Sequence, residues 1–334
     1  MIQKAHKVCV ITVTYGNRIK FLSQLIKYVQ FNNLITNIII TDNASVPSVS
    51  EWIPENFAAK AVVLQQEENK GSAFGYKAAL KYAIENTDAD FFWFLDDDNL
   101  PTDESLNNLL KNWEVLSGKI NLKALSCFRP DRKAHQEILC GANPSDYYLV
   151  PNNFMGFHIW WIVKNQLRKL RKINTVKVAP YAIMPYVPYG GFFTNREGIE
   201  QIGYPDERFF LYVDDSEYTY RITKAGGSIF LISNAVVNDV DTSQGVNYTG
   251  NFFRSKILDL WNFRTYYQVR NRIYFYSMET IEDKWIFWLN KKLYLFALRT
   301  KSIINGQKPE FKKFKKAVED GLNKNLSLGN PKYF

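Results

Sequence analysis

The sequence predicts an α/β fold: a mostly parallel, Rossmann-like sheet flanked by helices, with a helical, basic C-terminal extension. Three observations carry this. Short β-branched or aromatic runs alternate with segments of helical period over roughly the first 125 residues. Every one of those runs ends in polar, glycine or acidic residues, which suits an open α/β sheet that binds ligand outside its strand carboxyl ends. Beyond about residue 250 the pattern becomes helical, aromatic and basic.

In chain order, Val8-Cys9-Val10-Ile11-Thr12-Val13 reads as a buried strand, broken by Thr14-Tyr15-Gly16-Asn17. Phe21, Leu22, Leu25, Ile26 and Val29 recur at helical spacing and predict a helix packed on the sheet. Asn37–Thr41 is a second strand ending in Asp42-Asn43-Ala44-Ser45, and Ala61–Leu64 a third, followed by Glu68-Asn69-Lys70-Gly71-Ser72-Ala73. A helix over about 74–85 leads into the apolar run Asp90–Phe94. The middle of the chain is less regular. An aromatic stretch at Gly156–Trp161 meets Lys164, Arg168, Lys169, Arg171 and Lys172, and prolines then punctuate the approach to Tyr189-Gly190-Gly191. A helix is expected after Asp214-Asp215, ending at Gly226-Gly227. Internal repeats and low-complexity linkers are absent.

With 334 residues, 46% hydrophobic and 16% aromatic, the chain can bury a large core, which excludes disorder as its main state. No apolar run approaches the roughly 20 residues of a membrane span. The start, Met1–Lys7, runs into a strand without signal-peptide layout, and three cysteines, Cys9, Cys127 and Cys140, lack metal spacing. A cytoplasmic location is the expectation. The net charge of +9 is concentrated: residues 291–334 hold eleven Lys or Arg against Glu310, Glu319 and Asp320. A basic tail with interleaved aromatics suits an anionic membrane surface, or equally a solvated helix face whose aromatics pack on the catalytic domain or a partner subunit; with no recognition motif, nucleic acid is not an expected partner.

Directly behind the Phe91–Phe94 run stand Asp96, Asp97 and Asp98. Three adjacent acids repel one another and cost desolvation, so packing does not explain them. A hard divalent cation does, since Mg²⁺ and Mn²⁺ prefer carboxylate and phosphate oxygens. The competing reading is a solvated turn before a helix starting near Pro101-Thr102-Asp103-Glu104.

Five ordered marks break the tie: Val13-Thr14-Tyr15-Gly16-Asn17-Arg18, Thr41–Ser45, Asn69–Ala73, Asp96-Asp97-Asp98, and Tyr212-Val213-Asp214-Asp215-Ser216-Glu217 with Arg221. Over roughly residues 7 to 240 the chain thereby resembles the inverting family 2 glycosyltransferases of GT-A fold, nearest the bacterial galactofuranosyl and rhamnosyl transferases. The resemblance implies a nucleotide-sugar donor with a uracil or thymine base, UDP-galactofuranose ahead of dTDP-rhamnose, and a hydroxyl of a lipid-linked surface glycan as acceptor. It implies donor binding by Thr14, Tyr15, Arg18, Asp42, Asn69, Gly71, Asp96 and Asp97. Asp96 and Asp98 would hold Mn²⁺ or Mg²⁺. Asp215 would be the general base with Asp214 beside it, and Gly190, Gly191, Tyr212 and Glu217 would meet the acceptor. The chemistry agrees: negative charge grows on a diphosphate leaving group, and an attacking hydroxyl needs a base.

One departure stands out. Many relatives place a metal-binding His after the next strand, where this chain reads Val236-Val237-Asn238-Asp239-Val240-Asp241, and His6, His135 and His158 match no such position. Either Asn238 or Asp239 supplies an oxygen ligand instead, or the metal is held more weakly. The expected domains are a GT-A catalytic domain over 1–245, with its nucleotide part near 1–125 and its acceptor part near 126–245, then a helical basic region over 246–334. A homo-oligomer is compatible with this. The rivals are a non-catalytic carbohydrate-binding or scaffold protein, and a nucleotide-sugar pyrophosphorylase. The first leaves the retained acids unexplained, and the second lacks its glycine-rich loop at Thr14–Arg18.

Overall fold

The computed structural model describes residues 6–53, 57, 59–116, 122–160, 178–241 and 248–334. Trp161 and the basic run Lys164, Arg168, Lys169, Arg171 and Lys172 lie outside the described residues, as do Met1–Ala5.

The chain divides into two compact units. The first comprises Met1–Pro144, Lys177–Glu207 and Asp214–Gln244, and the second Ser145–Val176, Arg208–Val213 and Gly245–Phe334. The continuous 1–245 domain expected from sequence is therefore interrupted twice, because segments 145–176 and 208–213 belong to the second unit.

In the first unit, β1 (Val8–Tyr15), β2 (Ile35–Asn43), β3 (Ala61–Gln66) and β4 (Phe91–Phe94) pair in parallel in the order β3-β2-β1-β4. The sheet continues through β8 (Phe192–Asn195), β6 (Lys123–Phe128) and β9 (Ser228–Asp239). Here β8 is antiparallel to both its neighbours, while β6 and β9 are parallel. Short strands β5 (Asn99–Pro101) and β7 (Tyr181–Met184) pair antiparallel with β9.

The packing follows from residue choice. Helix α1 (Ile19–Phe31) buries Leu22, Leu25, Ile26 and Val29, one face at helical spacing. Helix α2 (Gly71–Asn86) instead buries small residues, among them Gly71, Ala73, Gly75, Ala79 and Ala83. A Cβ on Gly75 would stand 2.6 Å from a methyl of Val13, so only glycine lets this helix lie so close to β1. Helices α3 (Ser105–Val115), α4 (Lys133–Leu139), α5 (Arg196–Ile202) and α6 (Asp214–Lys224) complete the unit. Its core joins Val8, Val10, Ile38, Ile40, Trp93 and Phe193 to the apolar faces of α1 and α3.

The second unit is helical: α7 (Phe263–Glu279), α8 (Lys284–Ile304) and α9 (Lys308–Leu322). Phe154, Tyr266, Tyr267, Ile273, Phe314 and Val318 form its own core. Residues 145–160 belong with it because Asn152 ties the α7–α8 turn: its Oδ1 accepts from the Glu282 and Asp283 amides. Among the described residues no helix is long and apolar enough to cross a membrane.

Candidate active site

The parallel pairing brings the exits of β1, β2 and β4 to one edge of the sheet. Thr14 lies in register with Asp42, and Ile11 with Phe94, so the residues after each strand emerge together. Asp96, Asp97 and Asp98 leave β4 there, and Asp239 and Asp241 arrive at the end of β9.

Arg18, at the start of α1, organises these acids. Its Nε donates to both oxygens of Asp97 at 2.9 Å, Nη2 donates to Asp98 at 2.5 Å and Nη1 to Asp241 at 2.7 Å. Burial works against the guanidinium charge, but these three carboxylates hold it protonated above its ordinary range. Thr14 adds a hydroxyl to Asp97 at 2.6 Å. Thr14 therefore holds Asp97 in place rather than presenting its side chain to a donor. Tyr15 sits beside this group, its ring 5.4 Å from the Arg18 guanidinium.

Two further side chains frame Asp96, which is only half-buried. Tyr76 donates to its Oδ1 at 2.7 Å. The buried Arg129 donates to Asp239 at 2.8 Å. Burial works against its charge, and the carboxylates of Asp96, Asp131 and Asp239 outweigh that cost. Gly190 packs its backbone directly against this wall. A Cβ there would fall 2.2 Å from Asn99 Oδ1, 2.6 Å from Arg129 Nη1 and 2.8 Å from Asp96 Oδ2. Gly191, at φ +99°, donates to Phe94 O and would drive a Cβ into Cys127.

The charge balance is one-sided. With Asp131 set aside because it also pairs with Arg132, five carboxylates (Asp96, Asp97, Asp98, Asp239, Asp241) meet the guanidiniums of Arg18 and Arg129, leaving three negative charges when all are ionised. Asp98 registers this: burial first, then Asp96, Asp97 and Asp239, push its carboxyl up to about 7 despite the 2.5 Å contact with Arg18. Asp98 and Arg18 thus shift in ways that look opposed. A single guanidinium shared by three carboxylates keeps its own proton without neutralising any one of them. Burial likewise raises Asp97, with Arg18 and Thr14 opposing.

Among the described residues no three His, Cys, Asp or Glu side chains converge on one metal position. The donor set still suits a hard cation of the kind held by one or two carboxylates plus substrate phosphates. Of the two substitutes for the missing histidine, strand alternation separates them: Asn238 is exposed and paired opposite Leu100, while Asp239 faces the acids. His135 is buried, accepts from the Arg129 amide and is pushed down to about 4 by burial, so it is neutral.

A second acidic pair opens α6. Asp214 is buried and accepts from Ser72 at 3.1 Å, at the start of α2. Asp215 is half-buried, and its Oδ1 accepts from the Ser216 amide and hydroxyl at 2.6 and 3.1 Å. Burial and the neighbouring Asp215 push Asp214 well above the ordinary carboxylate range; burial raises Asp215 also. The charge of Asp96 reaches both, which couples the two acidic groups.

Several expected contacts are used otherwise. Asp42 is wholly buried, and its oxygens accept from the Ser45 and Val49 amides at 2.8 and 2.9 Å, so it holds the turn after β2. No part of it is exposed to a base. Asn69 is exposed and accepts from the Gly71 amide, and Gly71 carries φ +84°. Glu217 is gripped by Arg221 through two bonds of 2.9 and 2.7 Å, while Arg221 also donates to Ile202 O and Tyr204 O. Glu217 thereby ties α6 to the end of α5 and has little left for an acceptor. Tyr212 belongs to the second unit, exposed and at φ +65°. Arg129, Asp241, Tyr76 and Ser72 escaped sequence reasoning. Only Arg129 and Asp241 carried a signal, as charged residues just past strand ends.

Comparison with known proteins places this geometry. Residues 9–121 match the family described as Glycosyl transferase family 2. Galactofuranosyltransferase GlfT1 of Mycolicibacterium smegmatis is 23% identical over 224 residues, 66% of this chain. The match spans 66% of that relative, just under two thirds of its length. Among solved structures, the mannosyltransferase PcManGT from Pyrobaculum calidifontis, in complex with GDP-Man and Mn²⁺, superposes with a TM-score of 0.52 at 16% identity. That likeness covers 96% of this chain and 86% of the other, and it shows the shared fold, GT-A.

Proposed function

We propose that this glycosyltransferase, which carries a glycosyl transferase family 2 domain, is an inverting enzyme that moves a sugar from a nucleotide donor to a hydroxyl of a lipid-linked surface glycan. The observation that carries the reading is the pairing of two acidic groups with different surroundings. One is a charge-rich cluster around Arg18 with an excess of carboxylates. The other is the Asp214–Asp215 pair, whose proton affinity burial has raised.

In this reading Asp215 is the base. Its carboxylate takes the acceptor hydroxyl proton as that oxygen attacks the anomeric carbon. The bond to the diphosphate oxygen breaks in the same displacement, and its electron pair leaves with the nucleotide. A single base and no second nucleophile imply inversion. A raised carboxylate is a stronger base, which suits the task. Asp214, anchored by Ser72, stands beside it and is held neutral first by its own burial. Gly190 lets its backbone lie directly against Asp96, Asn99 and Arg129, where any side chain would crowd these groups. Asp98 and Asp96 are the residues that would hold Mn²⁺ or Mg²⁺, and a cation there would offset the charge on the departing diphosphate. Asp239 lies near enough to add to the same field.

UDP-galactofuranose is the favoured donor, supported by the similarity to a galactofuranosyltransferase, and dTDP-rhamnose is next. The expected site of action is the cytoplasmic face of a membrane carrying the acceptor lipid. A panel of UDP- and dTDP-sugars with purified protein tests this. Turnover of UDP-galactofuranose with an inverted anomeric centre by NMR is the expected result. Turnover of none of the panel, or a retained configuration, would overturn it.

A further inference from the structure

The basic tail expected from sequence is not an appendage. Phe287, Tyr294, Leu295, Phe311 and Phe314 all pack in the core of the second unit. Asp320 within α9 accepts from Tyr266 and Lys316. Removing 305–334 would therefore break the unit rather than strip a surface.

What remains outside is more specific. On α8 the positions 285, 288, 292, 296, 299 and 303 fall within about 80° of one another at roughly 100° per residue, directly opposite the buried Phe287, Asn290 and Leu298. An outer helix face in water is ordinarily polar. This one presents Trp285, Trp288, Phe296 and Ile303 at 66, 50, 73 and 52% exposure, with Lys292 and Arg299 between them. Residues 284–304 contain five Lys or Arg and no acid. At the far end of the helix Phe252, 81% exposed, has its ring 5.1 Å from Lys301 Nζ, on the side away from this stripe. The Phe253 carbonyl accepts from Asn305 and so fixes that loop to the end of the helix.

We infer that the outer face of α8 is a docking surface for an anionic lipid bilayer. Aromatic rings among lysines and arginines, with no acid on the helix, complement a negatively charged headgroup layer over an apolar interior. A protein partner or a second copy would bury the same rings, yet neither calls for an all-basic helix. The inference deepens the lipid-linked acceptor proposed above and rests on it only for its biological purpose. Its physical claim concerns the helix alone.

The full-length protein is mixed with vesicles of phosphatidylcholine alone or with about 30% phosphatidylglycerol and sedimented, without donor or acceptor. Wild type should partition to the anionic vesicles at least about tenfold better than to the neutral ones, and lose that binding at high salt. The variant W285S/W288S/F296S, and separately K292E/R299E, should each lower partitioning at least about tenfold. Circular dichroism and melting should match wild type, because these side chains point to solvent. Transfer to a soluble acceptor should also be unchanged, so failure of vesicle binding and failure of transfer are read separately. Absence of binding to anionic vesicles at low salt, or wild-type binding by both variants, overturns the inference. So does a concentration-dependent dimer that the aromatic variant abolishes while vesicle binding persists.

Discussion

Replacing Asp98 by asparagine should stabilise the metal-free protein at alkaline pH while abolishing transfer. The magnitude follows from the crowding of the site. Burial and three neighbouring carboxylates push Asp98 up to about 7, against an ordinary aspartate near 4. Three units at about 1.36 kcal/mol each give a ceiling of about 4 kcal/mol. The sign follows from proton counting. Between about pH 4 and 7 the folded protein holds a proton that the unfolded chain has released, so stability falls as pH rises through that window. At pH 8 the wild type carries the whole cost, and the D98N variant carries none of it. Urea unfolding in EDTA should therefore show D98N more stable by about 2–4 kcal/mol at pH 8, with the difference vanishing toward pH 4. Adding Mn²⁺ with UDP should then raise the melting temperature of wild type but not of the variant. A difference that is flat with pH, or a variant less stable at pH 8, would refute the argument that uncompensated charge is concentrated at Asp98.

Asp215→Asn should leave donor binding by calorimetry near normal and lower kcat by about 10²–10⁴, the loss of a general base. Asp214→Asn should leave the acidic limb of the kcat/KM profile, set by Asp215, in place, because Asp214 has the higher proton affinity and is neutral while Asp215 ionises; a limb moved to lower pH would show a charged Asp214 beside it. Gly190→Ala should impair donor binding and turnover more than stability, since its Cβ would meet Asn99, Arg129 and Asp96 at 2.2–2.8 Å in the site; a kinetically normal enzyme would remove Gly190 from it. Glu217→Gln should lower the melting temperature and leave the acceptor KM unchanged, because both its oxygens are bound by Arg221; a raised KM with unchanged stability would restore it as an acceptor contact.

Much of this protein was fixed by local pattern. The β-branched runs at 8–13 and 37–41, the helical spacing of Leu22, Leu25, Ile26 and Val29, and the acids after Phe94 are periodicities that need no knowledge of distant partners. They are enough for a parallel sheet with acids at its carboxyl edge. Tertiary structure alone decided who faces whom. That Arg18 is shared by Asp97, Asp98 and Asp241 depends on contacts 79 to 223 residues apart in sequence. The burial that lifts Asp98, Asp214 and Asp215 depends on everything packed around them. Glu217 and Asp42 read as ligand contacts through the resemblance of their motifs, and only the folded chain shows Arg221 and two backbone amides already occupying them. The same holds for the tail. Composition could say that aromatics and lysines are mixed there, but helix phase relative to a core decides that Phe287 and Phe314 go inside while Trp285, Trp288 and Phe296 stay out. Period is a property of neighbours along the chain, whereas charge balance and burial belong to neighbours in space.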